Sequence, residues 1–354
     1  MPYLSNELVT VVIPVRNRRD MLFEAVRSVA EQTYSQIELI VVDDNSDLPP
    51  DDVVYSAWGS RSGEDVRILQ VSAGNANVGR ALGLEQARGE YVQFLDSDDW
   101  LHPEKLARQV AHLTNSPDID ASVALEEVQD EDSTHRVLLW NLDIGRNDNQ
   151  DYSARFLSGD LPWSTNGPLW KTASLRDRKL TWDPTVQVSQ DWVFHCEALL
   201  NGLKAARLPE ILSTIRIHRT ERVTTSGTDS LRYNRRLYSI QTVGRVLAPL
   251  NDRHLNYTLE SHVRRVFIEI QDSNLPRSDA STLLAEFSTL LRDLAGSRKR
   301  KALLQYLPYL CRRGLQRRFF RLYTCLATLP TQHPINCCRV TFPLNFRVTR
   351  NYSP

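Results

Sequence analysis

The chain has 354 residues, of which 41% are hydrophobic and 24% are charged, an ordinary globular composition that excludes a disordered or fibrous chain. Basic and acidic residues balance at 43 each, but no Asp or Glu follows Asp293, whereas Lys and Arg continue from Arg298 to Arg350, so the C-terminal end is strongly basic. Five cysteines without a C-x-x-C pair, no signal-peptide pattern and no long apolar run predict a cytoplasmic protein that does not span a membrane.

The first hundred residues alternate between short apolar runs and amphipathic stretches, the pattern of an α/β sheet. This pattern predicts helices at residues 19–32 and near 81–87, and it predicts strands at Val9–Val15, 37–42, Val66–Val71 and 91–95. The apolar runs are continuous rather than alternating, which indicates strands that are covered on both faces. We therefore expect a mostly parallel, Rossmann-like sheet flanked by helices.

Helices are the main signal in the remainder of the chain. They are expected at residues 103–113 and 192–201, and the stretch between them, rich in turn residues, is predicted to be irregular. From about residue 231 the pattern is helical, with breaks near 272–277 and at Gly296. The predicted division is an α/β domain at 1–228, a mostly helical region at 229–330 and an unassigned tail at 331–354.

The sequence Asp96-Ser97-Asp98-Asp99 directly follows the fourth predicted strand. Ligands of open parallel sheets bind outside the carboxyl ends of the strands, which makes this tetrad a candidate binding site. Carboxylates two residues apart can turn toward one hard cation, and oxygen ligands suit Mg²⁺ or Mn²⁺. The alternative is a turn in which Ser97 or Asp99 caps the next helix.

A second acidic pair, Asp43-Asp44, ends the second predicted strand. These carboxylates could accept hydrogen bonds from a base or a ribose, and the alternative is an Asx-turn that leaves the strand. The residues after the first strand, 14–20, include no glycine, so a pyrophosphate could not approach the backbone there as it does in a dinucleotide-binding G-x-G-x-x-G turn. The sequence therefore does not favour a dehydrogenase.

Taken together, these motifs resemble family 2 glycosyltransferases. The matching segments occur in the family's order across residues 8–220, and they are V-T-V-V-I-P-V-R-N-R at 9–18, I-V-V-D-D-N-S at 40–46, N-V-G at 77–79, A-R-G-E-Y-V-Q-F-L-D-S-D-D at 87–99 and S-Q-D-W-V-F at 189–194. Their joint occurrence is far more specific than any one of them.

The resemblance implies a GT-A fold and an inverting transfer of sugar from a nucleotide diphosphate donor, with a UDP-sugar expected first. It implies Mn²⁺ or Mg²⁺ as the cofactor, with Asp98 and His218 assigned to the metal. Asp191 would be the general base. Contacts to the nucleotide sugar would come from Pro14, Arg16, Asp43, Arg80 and Asp96. The acceptor would be a saccharide, a lipid-linked saccharide or a protein, in polysaccharide or glycoconjugate synthesis.

Asp191 has two possible roles in the sequence alone. An inverting displacement needs a carboxylate that deprotonates the acceptor alcohol, but Asp191 could also be the N-cap of the helix at 192–201. The sequence departs from the family pattern at two places that bear on the expected site. Gln190 stands where the family often has Glu, and the stretch between Asn77 and Ala87 is shorter than usual, although Arg80 is retained.

Two other protein classes compete with the transferase. A catalytically silent nucleotide-binding or scaffold protein could share the fold, but a decayed copy has no reason to keep four aspartates at the expected positions. Specific nucleic-acid binding is supported by charge alone, without a recognisable module. The basic segment at 298–329 could lie on the inner face of an anionic membrane. Its alternative is a core-packed helical pair with a solvated basic face.

Overall fold

The computed structural model describes residues 7–59, 65–130, 138–139, 152–217 and 228–294. These residues form a nine-stranded sheet of order β3-β2-β1-β4-β8-β6-β9-β5, with β7 paired to β6. The strands are β1 (Val9–Val15), β2 (Ile37–Asp44), β3 (Val66–Val71), β4 (Tyr91–Phe94), β5 (Trp100–Leu101), β6 (Ala121–Asp130), β7 (Leu138–Leu139), β8 (Pro168–Lys171) and β9 (Ala205–Ile217).

Helices cover both faces of this sheet and continue beyond it. They are α1 (Arg19–Ala30), α2 (Asp51–Trp58), α3 (Ala76–Gln86), α4 (Lys105–Asn115), α5 (Tyr152–Leu157), α6 (Thr172–Asp177), α7 (Gln190–Leu200), α8 (Asp229–Leu247), α9 (Arg253–Gln271) and α10 (Arg277–Leu294). The predicted class, an α/β sheet followed by a helical C-terminal region, is confirmed. The break between α9 and α10 also falls at the predicted position.

The first half of the sheet is parallel, as the continuous apolar runs predict. Strand β1 pairs in parallel with both β2 and β4, and β2 pairs in parallel with β3. Every residue of β1 and β2 is buried, because α1 and α2 cover one face of these strands and α3 covers the other. The carboxyl ends of β1, β2 and β4 therefore lie side by side.

The prediction of irregular structure between residues 113 and 192 was wrong. This stretch contains β6 and β8, and β6 pairs antiparallel with β8 and parallel with β9, so the sheet is mixed. The apolar pattern does not predict strand β6, because the buried polar residues Ser122 and Glu126 interrupt its apolar run. Helix α3 also begins earlier than predicted, because the Asn75 side chain accepts the N–H of Asn77 and caps it.

Helix α3 packs closely on β1 through Gly83. A Cβ atom on Gly83 would lie 2.2 Å from Cγ1 and 2.9 Å from Cγ2 of Val12, too close for a rotation of Val12 to relieve. We expect Gly83→Ala to lower the free energy of unfolding by about 1–3 kcal/mol, the usual effect of overpacking. Urea denaturation of the whole chain measures this change.

Gly244 in α8 is the matched control, since it is also a helical glycine. A Cβ atom there would meet nothing nearer than Leu259 Cδ2 at 3.9 Å. Gly244→Ala should raise the free energy of unfolding by about 0.5–1 kcal/mol, because alanine loses less backbone entropy in a helix. Effects of the same sign in both variants would contradict the close contact between α3 and β1.

The helices that follow the sheet share one hydrophobic core with α5 and α7. Most of its buried residues come from five helices, and they include Phe156, Leu157, Trp192, Val193, Leu237, Ile240, Val243, Val263, Phe267, Leu283, Phe287 and Leu291. Across the described residues, no helix combines the length and apolar character needed to cross a bilayer. The basic segment at 298–329 and the tail lie outside the described residues, so membrane contact there stays a prediction.

Candidate functional site

Three aspartates meet beyond the end of β4 and form what we call the acidic triad, Asp96, Asp98 and Asp99. One carboxylate oxygen from each lies within 4.8 Å of the others. Asp98 Oδ2 accepts a hydrogen bond from Arg18 Nη1 at 2.5 Å, and its side chain is 18% exposed. Such oxygen donors fit a hard divalent cation, and Asp96 and Asp98, which both remain partly exposed, are the members that could hold one.

Asp99 is the buried member of the triad. Its Oδ2 accepts a hydrogen bond from Asn166 Nδ2 at 2.6 Å and its Oδ1 accepts one from the backbone N–H of Arg216 at 2.7 Å. Burial raises the pKa of Asp99 well above its usual range, and the charges of Asp98 and Asp96 raise it further. Helix α4 has Glu104 as its N-cap, so the alternative in which Ser97 or Asp99 caps that helix is not observed.

Arg80 connects the triad to helix α7. Its Nη2 donates to Asp96 Oδ1 at 2.5 Å, and its Nη1 donates to Gln190 Oε1 at 3.0 Å and to Asn77 Oδ1 at 3.2 Å. The guanidinium lies over the Trp182 ring, 4.6 Å from its centroid. This buried cation therefore bridges Asp96 and Gln190, the residue that precedes Asp191.

Asp191 lies in the first turn of α7 and not at its N-cap. The cap residue is Ser189, which has a left-handed φ of 54°, and the helix begins at Gln190. Asp191 Oδ1 accepts the N–H of Trp192 at 2.8 Å. Burial raises the pKa of Asp191 and the charge of Asp96 raises it further, against opposing effects of the Trp192 N–H and of Arg80. Asp191 is therefore a carboxylate that lies close enough to Asp96 and Arg80 for their charges to shift its pKa.

The acidic pair at the end of β2 makes structural contacts through both residues. Asp43 Oδ1 accepts hydrogen bonds from the hydroxyl of Ser46 at 2.5 Å and from its N–H at 3.2 Å, which is the Asx-turn that the sequence allowed. Asp44 accepts backbone N–H groups from residues 73, 74 and 75. Burial opposes ionisation of Asp44, but these N–H groups and the charge of Arg16 outweigh it and lower its pKa.

The remaining predicted residues have different positions. Pro14 is opposite Val42 in the sheet, and Arg16 is exposed just past the end of β1, so both lie at the edge that carries the acidic clusters. His218 lies outside the described residues. Arg216, two residues before it, contacts Glu24 through its guanidinium, which also lies 4.8 Å over the centroid of Trp100.

Arg18 and Asn166 contact the triad, and neither was identified from the sequence. Arg18 belongs to a run of arginines after β1, and nothing in that run distinguishes the one that reaches Asp98. Asn166 lies in the stretch that was predicted to be irregular, 67 residues beyond Asp99. No spacing or motif marks it, because its contacts depend on how β8 is placed beside β4.

A sheet of this topology, with helices on both faces and an acidic triad after a central strand, defines the GT-A fold. The structure of S. aureus TarS 1–349 in complex with UDP-GlcNAc shares this fold, with a TM-score of 0.68 and 18% identity, over 90% of this chain and 92% of that one. Residues 10–172 match the family described as Glycosyl transferase family 2, so this part of the chain is a family 2 glycosyltransferase domain.

Curated relatives align with about 30% of the chain. The putative teichuronic acid biosynthesis glycosyltransferase TuaG of Bacillus subtilis is 38% identical over 106 residues, which are 30% of this chain and 42% of TuaG. The Escherichia coli UDP-Glc:alpha-D-GlcNAc-diphosphoundecaprenol beta-1,3-glucosyltransferase WfaP is 34% identical over 104 residues, which are 29% of this chain and 40% of WfaP. The chain therefore spans less than half the length of these relatives.

Proposed function

We propose that this protein is an inverting, metal-dependent glycosyltransferase that moves a sugar from a nucleotide diphosphate donor to an acceptor hydroxyl. The observation that supports this most is the acidic triad, whose Asp96 is linked through Arg80 to Gln190, the residue that precedes Asp191. A transferase of this class needs oxygen ligands for a cation beside the leaving diphosphate and a base for the acceptor. Both kinds of group occur here on neighbouring elements.

In the proposed reaction, the acceptor oxygen attacks the anomeric carbon opposite the leaving group. Asp191 takes the hydroxyl proton, the bond from the anomeric carbon to the phosphate oxygen breaks, and the nucleoside diphosphate leaves with the bonding electrons. Asp96 and Asp98 would hold Mn²⁺ or Mg²⁺, which when bound neutralises charge on the diphosphate. Arg80 holds Asp96 in place, and a carboxylate whose pKa is raised is a stronger base than an ordinary aspartate.

The donor is proposed to be a UDP-sugar. Two proteins similar to this chain support this choice, because TarS has been solved with UDP-GlcNAc and WfaP is named for its use of UDP-Glc. The acceptor is proposed to be a saccharide, free, lipid-linked or attached to protein, in polysaccharide or glycoconjugate synthesis. The names of TuaG and WfaP, with teichuronic acid and a diphosphoundecaprenol-linked sugar, support that class of acceptor.

A screen of nucleotide sugars with Mn²⁺, with Mg²⁺ and with EDTA tests the proposal. Release of free nucleoside diphosphate should be strongest with one UDP-sugar and should stop in EDTA. If calorimetry detects nucleotide binding but no donor is ever turned over, with or without saccharide acceptors, the chain is a silent nucleotide-binding protein. Turnover that is unchanged in EDTA would remove the metal from the mechanism and leave the transferase.

A further inference from the structure

A buried segment from the other half of the sheet contacts the acidic triad. It comprises residues 163–167, between α5 and β8, and Ser164, Thr165 and Asn166 within it are all buried although they are polar. Buried polar side chains are stable only where their hydrogen bonds are satisfied, so this segment must have specific partners. The partners of the Asn166 side chain belong to the triad.

The Asn166 side chain bridges the two ends of the triad. Its Oδ1 accepts the backbone N–H of Asp96 at 3.0 Å, and its Nδ2 donates to Asp99 Oδ2 at 2.6 Å. A backbone N–H can only donate and a carboxylate oxygen that faces an amide nitrogen accepts, so these partners fix which way the amide is turned. An ionised aspartate in place of Asn166 has no hydrogen to donate to Asp99. An apolar side chain there could satisfy neither the Asp96 N–H nor the Asp99 carboxylate.

Asn166 is itself fixed from three other elements of the fold. Its N–H donates to Ser164 Oγ at 3.1 Å, and the Ser164 hydroxyl donates to Glu126 Oε1 of β6 at 2.6 Å. Its carbonyl accepts from Gln93 Nε2 of β4 at 2.9 Å. The next carbonyl, that of residue 167, accepts from Lys105 and Gln109 of α4. The amide is therefore a rigid support and not a mobile side chain.

We propose that Asn166 is a positioning residue for metal binding by the acidic triad. It fixes the backbone where Asp96 begins the turn and the carboxylate where Asp99 ends it, so Asp98, between them, is presented at a defined place. The inference rests on the proposed function, since it assumes that the triad binds a cation. Loss of an outer partner of a metal ligand commonly reduces metal affinity by about 10–100-fold.

The test compares Asn166→Ala with Gln109→Ala in the full chain. Gln109 is also a fully buried amide that supports the same segment, but it donates to the carbonyls of residues 122 and 167 and does not contact the triad. Both variants should lose stability. Only Asn166→Ala should weaken Mn²⁺ binding, by about 10–100-fold, as read from the Mn²⁺ electron paramagnetic resonance signal and from calorimetry with UDP.

Equal losses of Mn²⁺ affinity in the two variants would overturn the inference, because the segment would then act only through general packing. An unchanged affinity in Asn166→Ala would overturn it as well. If Asn166→Ala does not fold, Asn166→Ser replaces it, since a hydroxyl is too short to bridge both groups and the same loss is expected. A wild-type chain that binds no Mn²⁺ would instead contradict the metal dependence in the proposed function.

Discussion

Asp191→Asn is expected to lower sugar transfer by roughly 10²–10⁴-fold, the range for removing a general base, while the fold and donor binding remain. An asparagine Oδ1 can still accept the Trp192 N–H that Asp191 accepts now, but an amide cannot take a proton from the acceptor. Because the folded state raises the pKa of Asp191, its ionisation at neutral pH opposes folding. The melting temperature of the variant should therefore be unchanged or higher at pH 7.

Turnover with a defined acceptor at saturating donor measures the effect, and Glu197→Gln is the control. Glu197 lies on the same helix and burial raises its pKa to about 7, yet it contacts no residue of the triad among the described interactions. Its substitution should leave turnover near that of the wild type. Nearly normal transfer by Asp191→Asn would falsify its assignment as the base.

The pH profile gives an independent check on Asp191. A carboxylate acts as a base only above its pKa, so kcat/KM should rise with pH through a value above about 3.9, the pKa of an ordinary aspartate. Burial and the charge of Asp96 raise this pKa, while Arg80 opposes the shift. Asp191→Asn should remove this rising limb, and a limb that persists in the variant would belong to another group.

Asp98→Ala is expected to abolish the dependence of UDP binding on Mn²⁺. A direct ligand is lost, so the decrease in Mn²⁺ affinity should exceed the roughly 10–100-fold loss that follows removal of an outer partner. The side chain is partly exposed and fills no core volume, so stability should change little. Calorimetric titration with UDP is carried out with and without Mn²⁺. The difference between the two UDP affinities measures the effect of the metal.

Asp52→Ala provides the matched control for Asp98→Ala. Asp52 also pairs with an arginine at 2.5 Å, Arg19, but its side chain is 73% exposed at the start of α2 and lies outside the triad. Removing it tests whether loss of one carboxylate with an arginine partner is enough to alter UDP binding. An unchanged Mn²⁺ effect in Asp98→Ala, or an equal loss in Asp52→Ala, would contradict the assignment.

The parallel half of the sheet and the acidic triad were accessible from the sequence because each depends on local signals. Strands β1, β2 and β4 are buried on both faces and read as continuous apolar runs, and the aspartates of the triad follow directly where β4 ends. Asp191 was found only through the family resemblance. Its contact with Trp192 is local, but its relation to Asp96 depends on how α7 packs.

The other half of the sheet could not be predicted from the sequence, because it depends on contacts between residues far apart in the chain. Strand β6 carries Glu126, a buried glutamate whose carboxylate is satisfied by the N–H and the hydroxyl of Ser164. From the sequence alone, a glutamate is expected at the surface. Asn166 likewise acquires its contacts only when β8 pairs with β4. Long-range pairing of polar residues leaves no periodic trace, so the support of the triad becomes visible only in three dimensions.

The match to the family ends at residue 172, but α7, which carries Asp191, lies after it and shares a hydrophobic core with α5 and the C-terminal helices. The part of the chain needed to hold the proposed site is therefore longer than the part that matches the family. Trp192 follows Asp191 directly, and its ring meets His262 of α9 edge-on at 5.3 Å. A chain truncated after residue 228 would leave the outer surface of α7 bare, although every residue named in the reaction would still be present. The helices after residue 228 thus pack against α7 and support its first turn, which carries Asp191.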